Sequence, residues 1–132
     1  MVFALLTNVL AQESSSENTQ NTWTYTYIRA IDNQEKELIE FLVANWFAMD
    51  SMAVKQGLFN DYKLIENNDK SPDRAWDLIV AVEYYTRGTY TDIQEEWQKI
   101  RSAHKTVLIN GKNFPDLGKV IKTEELVFKE KH

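Results

Sequence analysis

One histidine, two carboxylates and two tyrosines are the groups in this sequence whose types and placement could do chemistry. His104 is the one histidine apart from the C-terminal His132, and so the sole internal imidazole able to trade a proton near neutrality. Asp77 and Glu83 punctuate the apolar run from Ala75 to Tyr85, sharing one face of an extended chain with Ile79, Ala81 and Tyr85. Carboxylates buried on such a face need cations or hold their protons more tightly than in water; Arg29 and Lys63 are the expected cations. Together with Tyr25 and Tyr27 they outline a polar, aromatic pocket for a small organic ligand. The expected ligand-binding set is therefore Tyr25, Tyr27, Asp77, Glu83 and His104, with His104 and Asp77 as the candidates for catalysis. A plainer reading competes with it: His104 packs at the rim of the core, the carboxylates reach solvent from strand ends, and the tyrosines fill space.

Other chemistries lack their residues. The chain has no cysteine, which removes disulfides, thiolate metal sites and cysteine nucleophiles. No HxxxH or HxH spacing and no carboxylate–histidine cluster offers a divalent metal its ligands, so no metal and no cofactor is expected. Ser14 to Ser16 stand far from any base, and Gly111-Lys112 lacks phosphate-loop spacing. The formal net charge of -5 repels phosphate backbones, so nucleic acid is not an expected partner.

The elements that must position these residues follow from periodicity. At 132 residues and 43% hydrophobic content the chain suits one globular domain. Trp23 to Ile31 alternates aromatics with threonines as a strand does, placing Trp23, Tyr25, Tyr27 and Arg29 on one face. Asp32-Asn33-Gln34-Glu35 has capping-box spacing and predicts one helix from Glu35 to Gln56, its stripe formed by Leu38, Ile39, Leu42, Val43, Trp46, Met49 and Ala53. Leu58 to Glu66 reads as an edge strand, and the polar loop after it leads by a hairpin into the Ala75 to Tyr85 run, a central strand buried on both faces. Trp76, Leu78, Val80, Val82 and Tyr84 should meet the helices. Capping-box spacings at Thr91 and Asp92 open a second helix striped by Ile93, Trp97, Ile100, His104 and Val107 or Leu108. A long irregular connection follows, then a strand from Lys119 to Phe128. The order is α+β, a ferredoxin-like βαββαβ antiparallel sheet with helices on one face and the other face open for a partner.

The N-terminal block Val2 to Ala11 is short and apolar and is followed by polar Gln12-Glu13-Ser14-Ser15-Ser16. It reads as the end of a secretory signal peptide without a basic leader, cleaved after Ala11 and followed by a tether up to about Asn21. It falls short of the roughly 20 apolar residues of a membrane span. The expected domain covers 22–129, and the expected location is secreted or periplasmic.

From Trp23 to Phe128 the chain resembles the dimeric α/β barrel superfamily in its element order, its aromatic first strand, Trp46 on the first helix and the strand Trp76-Asp77-Leu78-Ile79-Val80. The resemblance includes antibiotic-biosynthesis-monooxygenase-like and uncharacterised exported members. It implies a homodimer paired through the open sheet face, with a small apolar or aromatic ligand held between sheet and helices or in the barrel. The alternative it implies is a cofactor-independent monooxygenase acting on an aromatic or quinol-like substrate. The haem-degrading branch needs an asparagine, a tryptophan and a helix histidine in a spacing that Trp76 and His104 do not reproduce.

Overall fold

The structure, a computed structural model, describes residues 21–85 and 90–128, with the backbone alone at 90–92. The expected leader, 1–11, and nearly all of the expected tether lie outside the described residues. The elements run β1 (Thr22–Ala30), α1 (Glu35–Ala44), α2 (Trp46–Lys55), β2 (Phe59–Glu66), β3 (Leu78–Tyr84), α3 (Tyr90–Ala103), a single turn α4 (Phe114–Leu117) and β4 (Gly118–Val127). The four strands form one antiparallel sheet in the order β2-β3-β1-β4. The class is α+β, compatible with a ferredoxin-like arrangement. Among the described residues no helix is long and apolar enough to cross a membrane.

Alternation decides which side of the sheet becomes the core. Ile28 pairs with Leu78, Thr26 with Val80 and Thr24 with Val82. Ile28, Leu78, Val80 and Val82 join Leu38, Phe41 and Leu42 of α1, Ala53 of α2, Ile100 of α3 and Leu117 of α4 in one buried cluster. The four helices of the described residues therefore lie on that side. The opposite register pairs Tyr27 with Ile79, Tyr25 with Ala81 and Trp23 with Glu83, and β4 adds Lys122, Glu124 and Leu126 beside them. Among the described residues no helix covers this second face.

That open face is nonetheless partly roofed by its own side chains. Trp23, Ile79 and Ala81 are buried within the single chain. The Lys63 ammonium lies 4.7 Å above the Trp23 ring and Lys122 lies 4.6 Å above Tyr27, pairings that keep the charge wet while the stems shield the rings. Trp76 meets Tyr27 edge to face at 5.6 Å. Trp76 was expected against the helices; it precedes β3, so strand alternation does not govern it, and it folds onto the open face instead.

Local chemistry moved several boundaries. The expected single helix from Glu35 to Gln56 is two, divided at Asn45 (φ -116°, ψ -68°). The side chain of Asn45 is buried and donates to the carbonyls of Phe41 (3.0 Å) and Val107 (2.9 Å). Its carbonyl oxygen accepts from Val107 N–H at 2.7 Å and lies 2.9 Å from Nε2 of His104. Those bonds also explain why α3 stops at Ala103 and does not continue through Leu108: Asn45 takes both backbone groups of Val107, leaving Val107 and Leu108 exposed.

The box expected at Asp32 does not form. Asp32 and Asn33 adopt left-handed conformations (φ 52° and 57°) in a turn, which these short polar residues tolerate. Gln34 becomes the N-cap, and its side chain donates to the carbonyls of Ile31 (2.9 Å) and Asp116 (3.0 Å) rather than capping the helix. A capping box does occur in the connection expected to be irregular, where Asn113 and Asp116 satisfy one another's backbone amides and seat α4.

Candidate functional site

The sequence-predicted site residues occupy three different places. Tyr25 and Tyr27 lie on the open face beside Ala81 and Ile79. Glu83 lies there too, accepting a hydrogen bond from the Asn60 side chain at the bulge where β2 gains a residue on β3. Glu124 beside Tyr27 accepts from its hydroxyl, holding the phenol above its ordinary value and the carboxylate below. His104 stands on the helix side, engaged with Asn45. The structure does not bring His104 together with the tyrosines.

Asp77 is a structural node. It is 1% exposed, pairs with Arg74 and accepts from the backbone N–H of Ala30 at 2.7 Å. Its cation is Arg74, not the expected Arg29 or Lys63. Arg29 reaches instead to the carbonyls of Arg74 and Pro72. Asn67 donates to the carbonyls of Trp76 and Asp77 through its side chain and backbone at 2.8 and 2.9 Å. These bonds fasten the β2–β3 loop to the end of β1. At its other side Lys70 sits 3.0 Å from Glu66 and 3.5 Å from Glu35. Burial first, and then contact with Glu66, raises the Glu35 carboxyl above its ordinary value.

A cavity of about 240 Å³ opens elsewhere, between the helix side of the sheet and helices α2 and α3. Thr26, Val80 and Val82 form its floor, Trp46, Met49 and Asp50 one wall, and Trp97 and Arg101 the other. Both indoles are braced. Trp46 stacks on Phe114 with ring centres 5.0 Å apart, and Trp97 leans on Phe59 at 4.8 Å. A cavity of about 150 Å³ already accepts a benzene ring, so this one has room for a ring with a short substituent.

Asp50 gives the cavity its chemistry. It is 5% exposed, and among the described residues none donates a hydrogen bond or forms an ion pair with it. Burial alone pushes its carboxyl up to about 7, since the anion loses water and gains no compensating partner. Arg101 lines the same cavity from its exposed position on α3 but makes no ion pair with Asp50. The sequence carried a signal for this residue. Asp50 is four residues after Trp46 and three before Ala53, so the helix that buries those two must turn Asp50 inward. Arg101 stands four residues after Trp97 by the same logic. The expected carboxylates, Asp77 and Glu83, belong to the strand-like run from Ala75 to Tyr85, whereas Asp50 lies on a helix stripe.

Among the described residues no group of three or more His, Asp or Glu side chains could hold a metal ion. Comparison with protein-family models, curated proteins and solved structures finds no match to this chain.

Proposed function

We propose that this chain is a small-molecule-binding domain whose ligand sits between the sheet and the helices. The observation that carries the reading is the cavity beside Asp50, walled by Trp46 and Trp97 and closed below by Val80 and Val82. Natural ligand sites combine this apolar lining with a few placed polar groups. Quenching of tryptophan fluorescence by a panel of small aromatic compounds tests it. Binding in the parent and its loss in Met49→Trp, which fills the cavity, supports the reading; no binding across the panel removes it.

A second reading, a cofactor-independent oxygenase acting on a phenol or quinol, is favoured by Asp50 specifically. A carboxyl that titrates near 7 inside an apolar cavity is tuned to take a proton from a bound substrate at neutral pH. Oxygen consumption with candidate phenols and quinols, in the parent and in Asp50→Asn, His104→Ala and Asp77→Ala, separates the catalytic candidates. An inactive parent ends this reading for the compounds tried.

The open sheet face supports pairing with a second copy of the chain, as the resemblance to dimeric α/β barrels implies. Leu126 and Phe128 are exposed beside Trp23, and a contiguous apolar patch of this kind marks an interface. Light scattering should give a dimer mass, and Leu126→Lys should shift it to the monomer; a parent that is monomeric at micromolar concentration contradicts the pairing.

A further inference from the structure

We infer that the cavity selects a compact aromatic ammonium, its cationic nitrogen at Asp50 and its ring between Trp46 and Trp97. The inference rests on the small-molecule reading above and names the ligand class for that same site. Asp50 is 5% exposed, lines the cavity and takes no hydrogen bond or ion pair from the described residues, so its carboxylate has no protein donor of its own there. Such a group is costly on its own and favourable once a donor reaches it.

The neighbouring walls choose among donors. Two indoles line one cavity, and the electron-rich face of tryptophan is the best of the side chains for attracting a cation. Their bracing by Phe114 and Phe59 fixes them before a ligand arrives, so little ordering remains to be done on binding. A neutral ring would satisfy the indoles and leave Asp50 bare, whereas an anion would face it directly. An alkyl ammonium lacking a ring would leave much of the 240 Å³ empty.

The remaining lining from β1 and β3 is Thr26, Val80 and Val82, and α2 adds Met49, none of them charged. Arg101 on α3 is the other charged group. It is exposed, so solvent screens its charge, and it forms no ion pair with Asp50. Binding of a cation requires the ionised carboxylate, so affinity should decline as pH falls below the value at which Asp50 takes up its proton.

The test uses the full chain and three matched probes at about pH 8, where Asp50 is ionised: phenethylammonium, neutral ethylbenzene and 3-phenylpropionate, followed by tryptophan fluorescence and calorimetry. Phenethylammonium should bind at least about tenfold tighter than ethylbenzene, and phenylpropionate weakest. Asp50→Asn should cost phenethylammonium about tenfold or more while leaving ethylbenzene within about twofold, the latter serving as the check that the cavity is intact. Equal affinity for the three probes, or ammonium binding indifferent to Asp50→Asn, overturns the inference and leaves the small-molecule reading standing. Failure of every probe, the neutral ring included, overturns both.

Discussion

The side-chain oxygen of Asn45 lies 2.9 Å from Nε2 of His104, across 59 residues of sequence. The contact ties the junction of α1 and α2 to the chain leaving α3, and Val107 N–H shares the same oxygen. It gives the single internal histidine a partner and a packing role at the place where two helices are interrupted.

Removal of that junction should be expensive. Asn45→Ala leaves the Val107 N–H and C=O without their partner and opens space in a buried site, for a loss of roughly 2 to 4 kcal/mol. His104→Ala removes one of the several bonds and should cost about 1 kcal/mol. Urea unfolding of the two single variants and the double variant should show coupling between the sites; additive losses would mean the contact contributes nothing to stability.

Asp50 makes stability depend on pH in an unusual direction. Its folded value, about 7, lies above its ordinary 3.8, so between those limits the folded chain holds a proton that the unfolded chain has released. Stability from this group is full below about pH 4 and is lost as pH rises through about 7. The change is on the order of 4 kcal/mol at ~1.4 kcal/mol per pH unit. Asp50→Asn should flatten this part of the thermal-stability profile and raise Tm above neutral pH. An unchanged profile would place the Asp50 carboxylate in contact with water.

The Arg74–Asp77 pair should show the asymmetry of buried charges. Asp77 is 1% exposed and its partner is mostly covered. Arg74→Ala strands the carboxylate and should cost about 3 to 5 kcal/mol. Asp77→Asn keeps an acceptor for Ala30 N–H and should cost less. Chemical denaturation orders the two variants; a harmless Arg74→Ala would show that Ala30 N–H suffices for Asp77.

Gly118 is required by space rather than by backbone conformation. A Cβ there would come within 2.9 Å of Leu38 Cδ1 and 3.2 Å of Ile28 Cγ2, while its φ of -154° is open to any residue. Gly118→Ala should therefore destabilise by about 1 to 3 kcal/mol through overpacking. Leu38→Ala in the same chain should recover part of that loss by freeing the colliding methyls, and a double variant no better than the sum of its parts would locate the strain elsewhere.

What the sequence by itself determined was periodic. The threonine–aromatic alternation of β1 and the apolar face of β3 identify the strands and the side that meets the helices, because a side chain's direction along a strand depends only on its position. The stripes of Trp46 and Trp97 mark helical faces for the same reason, and they were enough to assign the α+β class. Tertiary structure alone decided the rest. Asn45 divides a continuous helical pattern because a segment sixty residues away offers it two backbone groups, a competition that local propensity cannot register. Asp77 pairs with Arg74 rather than Arg29 because the β2–β3 loop folds back over the end of β1. The aromatics of the open face and Asp50 were all present in the pattern. Only the packing of α2 against α3 and the sheet separates them into two layers, leaving Trp23 and Tyr27 under lysines and Asp50 in a cavity with two tryptophans.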